Sequence, residues 1–166
     1  LLKQGEIVLK GQNRRFFENK LLANIRRRLK PFGDFKVYST QSTVYIEPIG
    51  DCDMDGALDA MLMVFGVVGV TRALACEKDK DSIFEAAKKY LDEDMRSAKS
   101  FKVEAKRADK HFPMSSVELS QYVGGLLSDE FPDITVNVRE PELVVNVEVR
   151  ETGAYVHANT LPGAGG

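Results

Sequence analysis

The 166-residue sequence is poor in the residues that build metal and nucleophile sites, with two cysteines, Cys52 and Cys76, and two histidines, His111 and His157. The cysteines lie far apart, in neither a Cys-x-x-Cys nor a Cys/His ligand spacing. This excludes a structural zinc site within the chain and leaves two reduced thiols, as expected of a cytoplasmic protein. Neither histidine has a sequence neighbour that marks it as half of a catalytic dyad. No GxxxxGK[ST] phosphate loop and no nucleophile elbow occurs, the closing GAGG being too short to serve, so no catalytic residue is assigned. No apolar run reaches the length of a membrane span and no signal peptide is visible, so no membrane partner is expected. Positive charge is not in excess either: the formal net charge of −2 at pH 7 excludes a uniformly basic nucleic-acid protein. The start at Leu1 rather than Met and the Gly-rich stop at Gly166 suggest a piece of a longer polypeptide.

What is present is a charged globular chain, 43% hydrophobic and 29% charged, able to bury one substantial core or two small ones. Its charge is uneven. Residues 1–50 hold ten Lys and Arg against four acids, and residues 51–100 hold seven against eleven, so any phosphate-binding face must be local.

The first 76 residues read as strand, helix, strand, strand, helix, strand, with strands expected at 2–9, 35–39, 43–47 and 69–76. Asn13 can cap the first helix, in which Phe17, Leu21, Ile25 and Leu29 recur every four residues, while Lys20, Arg26, Arg27 and Lys30 occupy the other face; Pro31 and Gly33 end it. Two such strand-helix-strand units predict an α+β fold, a ferredoxin-like βαββαβ layer over residues 1–76. A mixed α/β module is expected over 77–160, with a helix capped at Asp81 or Ser82, a strand from Phe101, a helix from Ser116 and strands at 134–138 and 143–149. Residues 153–157 read as a hairpin partner, and 161–166 as a Pro/Gly-rich linker.

One segment stands out, FKVEAKRADKHFPMSSVELSQYV at residues 101–123. Phe101, Val103 and Ala105 alternate with Lys102, Glu104 and Lys106, the period of a half-buried strand whose two lysines share the solvent face. Arg107, Lys110 and His111 follow in a loop, and Ser115 or Ser116 can cap the next helix. Free amides and the partial positive charge of a helix start act on an anion together with such cations. A solvated charged loop is the plainer reading. Lys10, Gly11, Asn13, Arg14 and Arg15 repeat the design between the first strand and first helix, and two such loops suit an extended polyanion.

Other groupings carry less. Asp51, Asp53, Asp55 and Gly56 open like a calcium loop, but Leu62 stands where the bidentate Glu belongs, so acids favoured at a helix start account for them and no metal site is assigned. Gly124 and Gly125 inside a helix each cost about 1 kcal/mol relative to Ala, and close packing on the sheet is the expected compensation, with approach of a nucleic-acid backbone as the sharper alternative.

GEIVLKGQNRRFFENKL at residues 5–21 resembles the start of the tRNA 4-thiouridine synthetases, the tRNA sulfurtransferases also tied to thiamine thiazole synthesis. FKVEAKRADKHFPMSSVELSQYVGGLL at 101–127 resembles their THUMP domain, and PELVVNVEVR, Tyr155 and the terminal GAGG follow in the same order. The resemblance implies a ferredoxin-like domain followed by a THUMP domain, together gripping the acceptor stem and 3′ end of tRNA. It implies an ATP pyrophosphatase domain beyond residue 166 that uses ATP and Mg, with sulfur supplied by a persulfide carrier, a cysteine desulfurase. This chain would then hold no cofactor, be inactive alone, and be compatible with homodimerisation. The expected RNA-binding residues are Lys10, Arg14, Arg15, Lys102, Lys106, Arg107, Lys110 and His111. The rival readings are the RNA-binding part of another THUMP enzyme, a methyltransferase or pseudouridine synthase, and a small-molecule regulatory or protein-interaction module.

Overall fold

A computed structural model describes residues 2–4, 14–40, 43–158 and 160–165. The chain divides into two compact units: residues 1–72 joined by 160–166, and residues 73–159.

In the first unit, β1 (Leu2–Gln4), α1 (Arg14–Leu29), β2 (Asp34–Thr40), β3 (Thr43–Ile49), α2 (Met54–Leu62) and β4 (Val67–Thr71) realise the βαββαβ order. A last strand, β10 (Thr160–Gly165), returns to it, giving an antiparallel sheet ordered β10-β4-β1-β3-β2. Leu21, Ile25 and Leu29 of α1 and Ala57 and Met61 of α2 cover Val37, Val44, Val67 and Val70 in one core. Proline cannot donate into the α-helical ladder, so α1 passes at Pro31 into a single 3-10 turn, Lys30–Phe32. Gly33 follows with φ 129°, where a Cβ would lie 2.7 Å from Cys52 Sγ. The acidic run at 51–55 is accounted for by α2: Asp53 caps it by accepting the Gly56 N–H at 3.0 Å, and Asp55 pairs with Arg72 at 2.9 Å.

The second unit contains β5 (Leu74–Cys76), α3 (Lys80–Tyr90), α4 (Asp92–Ser97), β6 (Ser100–Arg107), α5 (Ser116–Glu130), β7 (Thr135–Val136), β8 (Leu143–Arg150) and β9 (Gly153–His157). Its sheet is ordered β5-β9-β8-β6-β7, with β6 parallel to both neighbours. Phe101, Val145, Val147, Val149, Ala154 and Val156 point to one face and are covered by Ile83, Ala87, Met95, Leu119, Val123 and Leu127 of the helices.

Three expectations are corrected. The strand expected at 69–76 is two strands in two different sheets, because the chain crosses between units at Arg72–Ala73. Residues 161–165 of the expected linker belong to β10, paired with β4 from Thr160↔Thr71 to Gly165↔Val67; backbone hydrogen bonding needs no particular side chains, so a Pro/Gly-rich edge strand hides from a composition reading. Asp79, not Asp81 or Ser82, caps α3, its carboxylate taking both the N–H and the hydroxyl of Ser82.

Candidate nucleic-acid interface

The alternation in β6 is observed. Phe101 faces the core, while Lys102, Glu104 and Lys106 lie on the sheet face that the helices leave open, in register with Val144, Asn146 and Glu148 of β8. The two lysines are about 13 Å apart along the strand. Glu104 is exposed between them and partly offsets their field.

Arg107 has the opposite parity and does different work. Its Nη1 donates to the carbonyl oxygens of Phe112 at 3.2 Å and Met114 at 3.4 Å, clasping the loop that leads into α5. The loop is anchored twice more. Buried Asp109 accepts from Lys78 Nζ at 2.8 Å and from the His111 N–H at 3.0 Å, and both bonds hold its carboxyl below the usual range. Phe112 is buried in the core beneath. Ser115 then caps α5 by accepting the Glu118 N–H at 3.1 Å, leaving the first two amides, Ser116 and Val117, for an outside acceptor. Lys110 and His111 stand exposed on this braced loop, beside a helix start of the kind that favours anions.

On the open sheet face, Glu148 Oε2 meets His157 Nε2 at 2.8 Å, and its Oε1 accepts from Arg150 at 2.8 Å. Those partners pull the Glu148 carboxyl down to about 2 against its partial burial. Lys106 is the register neighbour of Glu148 on β6.

In the first unit, Lys10 lies outside the described residues, Arg14 opens α1, and Arg15 is exposed on its first turn.

Residues 1–71 match the family model of the ThiI ferredoxin-like domain and residues 77–158 match that of the THUMP domain. The chain belongs to the ThiI family. It is 40% identical over 166 residues to a probable tRNA sulfurtransferase of Thermoanaerobacter pseudethanolicus and 42% identical over 168 residues to one of Alkaliphilus metalliredigens. All of this chain is matched, and it spans 42% of the length of each of those relatives. Among solved structures, a 4-thiouridine synthetase crystallised with RNA and ATP superposes with a TM-score of 0.83 at 26% identity, over 99% of this chain and 42% of that one. A Pyrococcus horikoshii protein gives the same TM-score at 23% identity over 99% of this chain and 55% of its own, a likeness of fold. The ferredoxin-like then THUMP order expected from sequence is therefore that of the ThiI family.

Within the second unit of this ThiI-family chain the expected site residues fall in two groups. Arg107, Lys110 and His111 meet at the start of α5, whereas Lys102 and Lys106 project from the open sheet face, and Arg15 belongs to the other unit. Asp109, Lys78 and the Glu148–His157 pair were missed, because each contact joins residues distant in sequence and nothing local marks them. The glycine expectation is also revised. A Cβ at Gly124 would meet Val103 at an ordinary 3.6 Å and one at Gly125 would meet nothing within 4 Å, so close packing does not explain the pair. The sequence has no phosphate-loop motif, and among the described residues no group of three His, Cys, Asp or Glu could hold a metal ion. No described helix is long and apolar enough to cross a membrane.

Proposed function

We propose that this chain is the tRNA-capturing portion of a tRNA 4-thiouridine synthetase, an ATP-dependent tRNA uracil 4-sulfurtransferase linked to thiamine thiazole synthesis. The observation that carries the reading is the braced β6–α5 loop, in which Arg107, Asp109 and Ser115 hold a helix start open beside exposed Lys110 and His111, within a THUMP domain. The ligand is the acceptor-stem and 3′-end region of tRNA. A-form RNA hides its sequence in a deep groove, so recognition runs through phosphates, 2′-hydroxyls and unpaired ends. Lys110, His111 and the α5 amides take phosphate or 3′-end groups, and Lys102 and Lys106 add longer-range attraction. Loop bracing lets these groups bind without first being ordered, which lowers the entropic cost of association.

On this reading ATP and Mg are handled by residues outside the 166 present, and sulfur arrives from a cysteine desulfurase persulfide. The two free thiols, Cys52 and Cys76, suit the cytoplasm. Burial and the neighbouring Glu77 and Asp79 push the Cys76 thiol up to about 11, which makes it a poor nucleophile for that chemistry.

Filter-binding titration of a tRNA transcript at several salt concentrations tests the proposal. Wild-type chain should bind with steep salt dependence, and Lys110→Ala with His111→Ala should weaken binding. Lys106→Ala with Arg107→Ala should also weaken it and flatten the salt slope. Unchanged affinity in both folded double variants would remove the loop from the interface.

A further inference from the structure

Glu148 and Lys106 stand side by side and do not pair. They are register partners on the parallel strands β8 and β6, about 5 Å apart at Cα, with both side chains on the open sheet face. Opposite charges so placed attract across a sheet. Yet Lys106 is exposed and, among the described residues, in no ion pair. Both oxygens of Glu148 are engaged elsewhere: Oε1 accepts from Arg150 Nη2 and Oε2 meets His157 Nε2, each at 2.8 Å. Glu104, two residues back on β6, is the other acid near Lys106, but it is exposed, where pairing contributes little. The Glu148 side chain is 17% exposed and would hold the ammonium more firmly.

Of the two partners, His157 is the one that turns the carboxylate. Arg150 lies two residues further along β8 itself, whereas His157 belongs to β9, on the side of β8 away from β6. A carboxyl pulled down to about 2 is ionised at neutral pH and can only accept, so the shared proton sits on Nε2. The His157 side chain is 9% exposed, and its other ring nitrogen, Nδ1, is buried without a partner. Glu148 is therefore the one polar anchor of the ring among the described residues. A ring kept only for packing would be better replaced by an apolar side chain, which orphans no nitrogen.

We infer that His157 is a positioning residue: by drawing the Glu148 carboxylate toward β9 it leaves the Lys106 ammonium free to meet an RNA phosphate. The inference rests on the tRNA-binding reading and adds to it a residue that touches no RNA itself.

The test is a double-mutant cycle read by filter binding of a tRNA transcript. Lys106→Ala is measured in the wild-type chain and in His157→Leu, which removes the donor and leaves the formal charge unchanged. In the wild-type chain Lys106→Ala should weaken binding roughly threefold to tenfold near 0.1 M salt and lower the log–log salt slope by about 1. In His157→Leu, where Glu148 captures Lys106, the same substitution should change affinity by less than about twofold. His157→Gln, whose amide reaches the same oxygen, should restore the effect of Lys106→Ala. His157→Asn, too short to reach it, should not, and it replaces His157→Leu if that variant does not fold. Lys110→Ala should cost the same in every background. An undiminished Lys106→Ala effect in the His157→Leu or His157→Asn chain would overturn the inference and leave the tRNA reading intact. So would a wild-type chain that tolerates Lys106→Ala without loss. A Lys110→Ala effect that shrinks in parallel would make general disorder of the site the cause and overturn it as well. Absence of binding by the wild-type chain would instead remove the tRNA reading and the inference together.

Discussion

The two units differ in how their positive charge is paired. In the second, Lys78, Lys88, Arg96 and Arg150 are each paired with a carboxylate and Arg107 is spent on loop carbonyls, so these five cations build shape while Lys102, Lys106 and Lys110 do not. In the first, among the described residues, Arg72–Asp55 is the one ion pair, and the outward face of α1 remains uncompensated. Paired cations support a fixed surface in one unit, and unpaired exposed cations leave a diffuse positive field in the other. Salt should act mainly on the second of these roles, since screening weakens exposed charge and barely touches buried geometry.

The sharpest way to break the contrast is to unmake the shape-building side. Glu148→Gln leaves Arg150 and His157 without their carboxylate in a half-buried setting and should cost about 3 kcal/mol. Hydrogen exchange should report lost protection in β8 and β9 while β2 and β3 keep theirs. Equal loss in both units would show that stability is shared and the contrast overstated. The same carboxylate predicts an acid response. Its folded pKa is depressed to about 2 from an ordinary 4.5, so its contribution is complete above about pH 4.5 and is lost as pH falls toward 2. Urea midpoints measured from pH 5 to 2.5 should fall more steeply for wild type than for Glu148→Gln, and parallel curves would contradict the assignment. Ser115→Ala removes the cap of α5 and should cost about 1 kcal/mol in thermal unfolding, with weaker tRNA binding through a frayed helix start. The smallest effect is a gain. Gly125→Ala should stabilise by about 0.5 to 1 kcal/mol, since a Cβ there has open space around it. If tRNA affinity drops while stability rises, the bare helix surface at Gly125 touches RNA; if both hold or rise, it does not.

Much of the fold was legible because hydrophobic periodicity is local. Leu21, Ile25 and Leu29 mark the buried side of α1, and the alternation of Phe101 to Lys106 marks both faces of β6. The solvent-facing parity of Lys102 and Lys106 was legible for the same reason. The bracing role of Arg107 was not legible, since its long side chain turns from the strand end to carbonyls five and seven residues on. Asp109 reads as an ordinary loop acid until Lys78, 31 residues earlier, is brought beside it. The single strand read over residues 69–76 is two, because local composition does not say which sheet the residues before and after Thr71 and Arg72 join.

The amino-acid sequence by itself determined the two α/β layers, the helices with their buried stripes, and the concentration of cations in the first fifty residues and around residues 102–111. These follow from side-chain spacing and composition along a short stretch of chain. Tertiary structure alone decided that β10 completes the first sheet, that Glu148 finds His157, and that Arg107 braces a loop. Each depends on which distant segments come together, and register and pairing are set by the whole packed core.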